Sequence, residues 1–392
     1  MSGALKRDEW ETVRLGDVCE VNPSKKFNVT ISDDLNVGFL PMEAVSNEGD
    51  ILRIDTRKYG EVKKGFSGFQ DGDVLIAKIT PCMENGKGAL VSGMPCGIGF
   101  GSTEFHVLRP DTSKCHAKFI FHIMENPLLR QDFARKMTGS AGQRRLPKEV
   151  LQKLEIPLPS LDIQRRIAET LDKVTELITL RKTQLKKLDE LVKARFVELF
   201  SDCKNIVAMN DLCSIITDGT HQPPKFQSDG IPFIFVSNLA NNTVTYNAEK
   251  FISEETYNDL IKRTPIEIGD ILLTTVGSYG HPAVVVEERK FLFQRHIAYL
   301  KLKHDLVNSF YLHSALLAPD GQRQIEEKVK GIAQKTLNLS EIRKIMIPIP
   351  SIEEQNAFEL FIKQTDKSKV IIQQSLDTLE TLKKSLMQEY FG

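Results

Sequence analysis

The strongest constraint in this sequence is that it repeats itself at a spacing of 191 residues. EIPLPSLDIQRRI (155–167) returns as MIPIPSIEEQNAF (346–358), and each string leads into a long, highly charged segment. Those segments end in aromatic residues, at Phe200 in the first copy and at Phe391 in the second. The matched pairs are Pro157 with Pro348, Ser160 with Ser351 and Gln164 with Gln355. A duplication on this scale predicts two similar domains rather than one large one.

A second set of strings extends the repeat towards the start of each copy. FQDGDVLIAKI (69–79) is similar to IEIGDILLTTV (266–276) at a shift of 197, so small insertions separate the two copies. LPKEVLQKL (146–154) is likewise similar to LSEIRKI (339–345). The 392 residues therefore divide into two globular and two helical parts. The predicted globular domains are 1–158 and 202–350, and the predicted helices are 159–201 and 351–392.

Each globular part carries short strand-like runs bounded by Gly, Pro, Asn and Asp, which predicts an α+β domain with a curved sheet. The runs are 37–42, 73–79 and 104–110 in the first copy, and 231–236, 270–276 and 296–302 in the second. Apolar residues at helical spacing predict one further helix in each copy, at 116–136 and 308–329. The Gly-Asp pairs at 72–73 and 269–270 are interpreted as turns before a buried strand.

The segments after the proline-rich strings have the spacing of a coiled-coil seam. In the first segment most apolar residues lie three or four apart: Ile163, Ile167, Leu171, Val174, Ile178, Leu185, Leu188, Val192, Phe196 and Leu199. The second segment carries Phe358, Ile362, Ile372, Leu376, Leu379, Leu386 and Tyr390 in a similar register. Thr365 and Lys369 interrupt this second seam. Neither helix can bury such a stripe alone.

The simplest arrangement packs the two helices against each other in antiparallel orientation, because the second globular part must return the chain. We assign Leu185, Leu188, Leu376 and Leu379 to this helix pairing. An ordinary helical hairpin core and a self-dimerising coiled coil are the alternatives that the pattern leaves open. Ser160 is the predicted N-cap of the first helix.

Composition and motifs exclude several classes of protein. The 52 Lys and Arg balance 52 Asp and Glu, which argues weakly against a simple basic nucleic-acid binder. No apolar run reaches the length of a membrane span, about 18 residues, and the opening MSGALKRDEWETV lacks an apolar signal core. The six cysteines form no CxxC pair and no metal-ligand spacing, so we expect no metal site and a reducing, cytoplasmic setting.

Catalytic motifs are absent from the sequence, with one near miss. GxxxxGK[ST], GxSxG and HExxH do not occur. Pro319-Asp320 and Glu326-Glu327-Lys328 superficially resemble a magnesium-dependent nuclease site, which needs its carboxylates on adjacent strands. This run has a helical pattern instead, and the first copy has no counterpart. The sequence therefore favours a chain without a catalytic centre.

The duplicated plan, the IPLPS and IPIPS strings before a glutamine, and the GDVL and GDIL strings together resemble the specificity subunit of type I restriction–modification systems. DGTHQPP (218–224) and GSTEFHVL (101–108) are also similar to strings of that family. The first copy has CEVNPSKK (19–26) where the second has DGTH, which suggests that the two domains belong to different subtypes. The resemblance covers essentially the whole chain.

The resemblance implies that each globular domain is a target recognition domain that reads one half of an asymmetric, bipartite sequence in double-stranded DNA. It implies helices that set the gap between the half-sites and dock two methyltransferase subunits. Two restriction–translocase subunits would join in complexes that also cleave DNA. It also implies a chain with no catalytic centre and no cofactor, with S-adenosylmethionine, ATP and Mg²⁺ on the partner subunits.

Residues that contact DNA should be donors and acceptors on loops, with Lys, Arg and backbone amides for phosphates. In the first domain the candidates are Lys78, Thr80, Asn85, Lys87, Ser102, Thr103, Gln143, Arg144 and Arg145. In the second they are His221, Gln222, Thr275, Ser278, Tyr279, His281, Gln294, Arg295, His296, Gln334 and Lys335. The Gln-basic pairs at 143–144 and 334–335 rank first because they recur at the shift of 191. The plain alternative is that all of these are solvated turn residues.

Two rival functions stay open at this point. One is a duplicated scaffold that binds proteins and no DNA, for which the zero net charge is the best support. The other is an unrecognised nuclease that uses Asp320, Glu326 and Lys328. Under the DNA-specificity hypothesis the balanced charge means that partner subunits supply much of the DNA affinity, and this chain chiefly discriminates between sequences.

Overall fold

A computed structural model describes residues 10–24, 27, 31–140, 142–331 and 334–392. The chain packs as two compact units, which we call unit 1 (Met1–Leu180 with Ser375–Gly392) and unit 2 (Arg181–Gln374). Parts of three segments used in the sequence analysis lie outside the described residues. These are the first nine residues of the opening string, the last two of CEVNPSKK, and Ala141, which precedes the Gln-basic pair of the first copy. Among the described helices none is long and apolar enough to cross a membrane.

Unit 1 is built on two four-stranded sheets. The first has the strand order Cys19–Val21, Phe105–Pro110, Val74–Ala77, Gly88–Leu90 and is antiparallel. The second has the order Asp55–Lys58, Asn36–Leu40, Ile98–Gly101, Ser67–Gln70, with one parallel pair in its centre. Glu11–Arg14 pairs with Glu155–Leu158. The short helices are Leu15–Val18, Tyr59–Val62, Ala117–Met124, Pro127–Lys136 and Lys148–Gln152, with 3₁₀ turns at Met42–Ala44 and Pro95–Gly97.

Unit 2 repeats this plan. Its antiparallel sheet has the order Cys213–Asp218, Ile297–Leu302, Ile271–Thr274, Pro282–Val284. A smaller sheet has the order Lys250–Ile252, Ile231–Ile234, Leu292–Phe293, and Ile206–Ala208 pairs with Met346–Pro348. The short helices are Met209–Leu212, Glu254–Leu260, Ser309–Leu317, Pro319–Lys328 and Leu339–Ile342, with 3₁₀ turns at Val236–Leu239 and Ile261–Arg263. The predicted α+β class and duplication are confirmed, and the linear domain boundaries stay a prediction.

The single helix predicted in each copy after the strands is wrong, since two helices stand in its place. In unit 1 the break falls at Asn126, whose side chain accepts a hydrogen bond from the Leu128 amide at 2.9 Å. In unit 2 it falls before Pro319, the first residue of the following helix. Proline has no amide hydrogen and its ring clashes with the preceding turn, so it starts a helix rather than continuing one.

The Gly-Asp turns before the buried strands are confirmed in both units. Gly72 has φ of 91° and Gly269 has φ of 95°, a conformation that glycine adopts without strain. Asp73 and Asp270 are each 1% exposed, although both are carboxylates. The strands that follow, Val74–Ala77 and Ile271–Thr274, are buried throughout and form the centre of each antiparallel sheet.

Two long helices, Leu161–Phe200 and Ile352–Phe391, carry the predicted seams. In unit 1 the beginning of the first packs with the end of the second, since Leu171 shares a core with Tyr390. In unit 2 the end of the first packs with the beginning of the second, where the Phe200 and Phe358 rings lie 5.5 Å apart. The antiparallel pairing is therefore confirmed.

The detail of the seam departs from the prediction at one end. Leu199 is 45% exposed, and Phe200 is buried in its place. The interruption of the second seam is confirmed as a polar layer. Thr365 is buried and donates to the Phe361 carbonyl at 3.0 Å. Lys369 forms an ion pair with Asp189 at 2.8 Å.

The four leucines assigned to helix pairing are divided between the units. Leu185 and Leu188 are partly buried in unit 2. Leu376 is buried and Leu379 is partly buried in unit 1. Their pairing with one another stays a prediction.

The repeated glutamine fastens each globular part to its long helix. Gln164 is fully buried; it accepts from the His116 amide at 2.8 Å and donates to the Lys114 and Pro159 carbonyls at 3.1 and 2.8 Å. Gln355 does the same in unit 2, with the Asn308 amide at 2.9 Å and the carbonyls of Leu306 and Pro350 at 3.2 and 3.1 Å. The side chain thus satisfies three backbone groups where a loop meets a helix.

Candidate nucleic-acid interface

One end of the antiparallel sheet in unit 1 gathers several of the predicted residues. Strand Val74–Ala77 ends opposite the start of Phe105–Pro110. Immediately beyond, the Lys78 amide donates to the Glu104 carbonyl at 2.9 Å, and the Lys78 carbonyl accepts from the Leu146 amide at 2.8 Å. The segment before Leu146 is thereby attached to the end of the sheet, beside these two strands, as a third segment. This geometry brings Lys78, Thr80, Arg144 and Arg145 together.

That third segment is a hairpin whose turn contains a glycine, which we call a glycine-closed hairpin. Unit 2 has an equivalent hairpin. In unit 1, Thr138 and Arg145 exchange backbone hydrogen bonds at 2.9 and 2.7 Å. In unit 2, Lys330 and Thr336 exchange them at 3.0 and 2.8 Å. Gly139 has φ of 126°, and a Cβ there would lie 2.8 Å from the Gln143 carbonyl oxygen. Glycine therefore allows the tight return that leaves the Gln-basic pair on the outside.

The two arginines of the unit 1 hairpin are held by carboxylates from other segments. The Arg144 guanidinium lies 2.7 Å from Glu84, and the Arg144 amide donates to the Thr80 hydroxyl at 3.1 Å. The Arg145 guanidinium contacts both Glu104 oxygens, the shortest distance being 2.8 Å. Hydrogen bonding to Arg145 holds the pKa of Glu104 below its usual range. Such bidentate pairs fix the direction of an arginine as well as its charge.

The other unit 1 candidates have different surroundings. Asn85 is exposed in the turn that follows Pro81, to whose carbonyl its amide donates at 3.0 Å. Lys87 is directed inwards and donates to the Met42 carbonyl at 3.1 Å. Ser102 accepts from the Glu104 amide at 3.2 Å, which is a turn contact, and Thr103 beside it is exposed, as is Gln143. Lys87 and Ser102 are therefore weaker candidates than the sequence suggested.

Unit 2 gathers its candidates at the equivalent sheet end. The Thr275 amide donates to the His296 carbonyl at 2.9 Å, and the Thr275 carbonyl accepts from Leu337 at 2.8 Å. The Arg295 amide donates to the Thr220 carbonyl at 3.1 Å, and Gln294 bridges to Thr220. A concavity of about 280 Å³ opens among these chains, with Asp218, Thr275, Arg295, His296 and Gln334 among its lining residues.

We call the surface at this end of each antiparallel sheet, with its hairpin and neighbouring loops, the face of that unit. In unit 2 carboxylates again neutralise the basic groups of the face. Lys335 lies 2.9 Å from Glu326, and the Tyr279 hydroxyl donates to the same carboxylate at 2.5 Å. Hydrogen bonds from Tyr279 and Lys335 hold the pKa of Glu326 below its usual range. Asp218 likewise pairs with Arg263 at 2.5 Å and with His221 at 2.8 Å.

Three remaining candidates of unit 2 differ in exposure. His281 is half-buried, and its Nδ1 lies 3.1 Å from the Asn242 side-chain oxygen. His281 is therefore less accessible to DNA than the exposed candidates. Gln222 and Ser278 are exposed. The nuclease-like residues Asp320, Glu326 and Lys328 share one helix and not adjacent strands.

Sequence reasoning missed the acidic half of both faces. Glu84, Glu104 and Glu326 were not among the candidates, nor was Arg263, which reaches the face from 42 residues beyond His221. Glu104 lies inside the GSTEFHVL string and had a signal there. Glu326 stood only in the nuclease-like run. Glu84 and Arg263 had no signal, because Arg144 lies 60 residues from Glu84 and Asp218 lies 45 residues from Arg263. In the described parts of both units no group of three His, Cys, Asp or Glu residues is placed to hold a metal ion.

The chain matches the family model of the type I restriction modification DNA specificity domain twice, over residues 7–190 and 203–381. It therefore belongs to that family, and the resemblance drawn from its repeated strings is confirmed. The two matched stretches also agree with the duplication seen in units 1 and 2. A DNA specificity family favours the DNA-reading hypothesis over the scaffold hypothesis.

Individual relatives agree with the family. The chain is 39% identical over 166 residues to the type I restriction enzyme EcoEI specificity subunit and 40% identical over 162 residues to that of EcoAI, both from Escherichia coli. These matches cover 42% and 41% of this chain, and in each case 27% of the relative's length. The chain thus matches about a quarter of each of these curated relatives. A solved chain from work on complex assembly and conformational transition of the type I R-M system has the same fold, with a TM-score of 0.60, 21% identity and 97% of each chain covered.

Proposed function

We propose that this chain supplies DNA sequence specificity to a type I restriction–modification complex, and that each unit reads one half of an asymmetric, bipartite target. The observation that carries the proposal is the pair of equivalent faces at the sheet ends. Each presents a Gln-basic pair from a glycine-closed hairpin beside polar loop residues. Amide, guanidinium and ammonium groups on a short hairpin are suited to base edges in a major groove.

The asymmetry of the target follows from the different chemistry of the two faces. The sheet register that aligns Ala77 with Phe105 in unit 1 aligns Thr274 with Ile297 in unit 2. By that alignment Lys78 corresponds to Thr275, and Glu104 corresponds to His296. A cation and an anion in one face thus replace a hydroxyl and an imidazole in the other. Faces that differ at equivalent positions would select different base pairs, whereas identical faces would read a palindrome.

The long helices are proposed to set the gap between the half-sites and to dock two methyltransferase subunits. A 40-residue helix is about 60 Å long, which exceeds the 34 Å of one DNA turn. Both helices also expose large apolar side chains, including Leu180 and Leu191 in the first and Leu360 and Ile371 in the second. Exposed apolar residues of this size favour a protein partner.

The remaining parts of the proposal concern the partners. Two restriction–translocase subunits would join in a complex that also cleaves DNA. Catalysis would belong to these partners, with S-adenosylmethionine on the methyltransferase subunits and ATP and Mg²⁺ on the restriction subunits. The complex would work in the cytoplasm. The support is the family match and the lack of a catalytic motif in this sequence.

Long-read methylation mapping of a host with and without the gene tests the proposal. We expect adenine methylation at one bipartite sequence, only when this chain and the methyltransferase subunits are both present. The double variant Gln143→Ala, Arg144→Ala should relax one half-site, and Gln334→Ala, Lys335→Ala the other. Loss of methylation at both half-sites together with normal assembly, or no sequence preference in the wild type, would contradict it.

A heptad inserted into both long helices belongs to the same experiment. It should change the number of unread base pairs between the half-sites and leave the half-sites themselves unchanged. Altered bases within a half-site would show that the helices do more than set a distance.

A further inference from the structure

Every basic side chain that the hairpins carry towards the face is already paired with a carboxylate. Arg144 pairs with Glu84, Arg145 with Glu104 and Lys335 with Glu326. The pairs recur in both units although their acidic partners come from unrelated places. Glu84 and Glu104 lie in loops at the strand ends of unit 1, whereas Glu326 lies on helix Pro319–Lys328 in unit 2. The pairing is therefore not simply inherited with the repeat.

These contacts are positioned for exchange with a phosphate or a base. The six side chains are between a quarter and three-fifths exposed. Exposed ion pairs of this kind stabilise the fold little, so a basic group can leave its carboxylate at small cost. The carboxylate then stays on the face as an unpaired negative charge close to the DNA. It is repelled by the backbone unless the bases beside it offer a hydrogen-bond donor.

We propose that Glu84, Glu104 and Glu326 are specificity-determining residues that penalise binding to non-target DNA. On a sequence that offers an amino group, such as the N4 group of cytosine, the released carboxylate accepts a hydrogen bond. On any other sequence it remains unpaired near phosphates and weakens the complex. The three glutamates thus lower non-specific affinity more than they lower target affinity. This inference rests on the proposed DNA-reading function.

Two further features agree with this role. Hydrogen bonds from Arg145 keep the pKa of Glu104 below the usual range, and hydrogen bonds from Tyr279 and Lys335 do the same for Glu326, so both are ionised at neutral pH. The equal totals of acidic and basic residues, 52 and 52, are also what a reader with low non-specific affinity needs. Affinity for arbitrary DNA is set by how many phosphates are neutralised, and these carboxylates reduce that number.

The test uses the full chain assembled with its methyltransferase subunits. Duplexes with the mapped target and with a scrambled sequence are titrated at several salt concentrations with the wild type, Glu104→Gln and Glu326→Gln. Glutamine keeps the shape and removes the charge. We expect non-specific binding to tighten by about two- to fivefold for each variant, the scale of one surface charge interaction. The non-specific salt slope should steepen by about one unit, and the ratio of target to non-target affinity should fall.

Two matched controls remove exposed ion-pair carboxylates elsewhere. Asp162→Asn removes the partner of Arg165 at the start of the first long helix. Glu327→Gln, one position from Glu326, removes one of the two carboxylates paired with Arg323 and leaves Asp320 in place. Both should leave the affinity ratio unchanged. The inference is overturned if Glu104→Gln and Glu326→Gln leave the ratio and the salt slope unchanged, or weaken both complexes, while the wild type still prefers its target. A wild type without any preference would instead sink the proposed function itself.

Discussion

In unit 1 the buried Asp73 is held by Arg109, whereas in unit 2 its counterpart Asp270 accepts a hydrogen bond from Tyr299. Arg109 contacts both Asp73 oxygens, at 2.9 and 2.7 Å. Tyr299 lies 2.7 Å from Asp270, and the nearest cation, Lys301, is 3.8 Å away. One position thus carries a buried ion pair in one copy and a neutral donor in the other.

By contrast, the glutamine junction is the same in both units. Gln164 and Gln355 each make three backbone hydrogen bonds at full burial. The backbone groups that need these bonds are present whatever the neighbouring side chains are, so the solution can recur unchanged. A buried carboxylate has several possible partners, so its surroundings are free to diverge. The comparison teaches that the two units keep the same contacts where backbone groups need hydrogen bonds. They differ where the contacts are between side chains.

The largest expected effect comes from breaking the shared junction. Gln164→Leu and Gln355→Leu should each lower the free energy of unfolding by about 3–5 kcal/mol, because three buried backbone groups lose their partner. Denaturant titration measures the loss, and hydrogen exchange should place it in unit 1 for Gln164→Leu and in unit 2 for Gln355→Leu. Gln152→Leu, on the exposed side of a short helix, is the control and should change stability by less than about 0.5 kcal/mol. Equal deprotection of both units by either variant would contradict the idea of two separate junctions.

The second effect should separate the units. Asp73→Asn leaves the mostly buried Arg109 without its counter-charge and should cost about 3 kcal/mol. Asp270→Asn keeps an acceptor for Tyr299 and should cost only about 1 kcal/mol. Both are read as shifts in denaturant midpoint at neutral pH. Equal costs would show that the carboxylate charge matters as much beside a tyrosine as beside an arginine.

The smallest effect is a dependence of stability on pH that comes from His122 of unit 1. His122 is buried, and its ring nitrogens lie 2.9 Å from Glu125 and 2.8 Å from Asp172 of the first long helix. Lys118 contacts Asp172 at 2.6 Å, and Lys383 lies 3.8 Å from Glu125. Burial alone would lower the pKa of His122, but hydrogen bonds to the two carboxylates outweigh it and raise that pKa. The same contact lowers the pKa of Asp172 to about 2.

A group whose pKa is raised on folding stabilises the fold fully below its unfolded pKa, and the contribution is lost as pH rises through the folded pKa. His122→Gln should therefore cost more stability at pH 5.5 than at pH 8.5, measured by denaturant titration at both values. The equivalent helix of unit 2, Ser309–Leu317, carries no such carboxylate pair among its described contacts, so His313→Gln is the comparison. A cost for His122→Gln that did not fall with rising pH would show that the ring is neutral.

The sequence by itself determined the duplicated plan, the two long helices, the Gly-Asp turns and the glutamines that recur at 191 residues. These features depend on backbone demands with local signals, namely turn conformation, helix periodicity and a fixed distance from a proline-rich string. The sequence also contained the break at Pro127, although periodicity alone concealed it.

Only the tertiary structure decided which charges meet. Glu84 and Arg144 are 60 residues apart, and Arg263 and Asp218 are 45 apart, yet each pair is in contact. An ion pair needs only two groups within a few ångströms, which many chain paths can supply, so no periodicity announces it. Packing between distant parts of the chain also decides the end of the first seam. Leu199 is exposed and Phe200 is buried, because the Phe200 ring packs against Phe358. The pattern of residues fixed the frame, and packing across long chain distances decided the charge arrangement of the two faces.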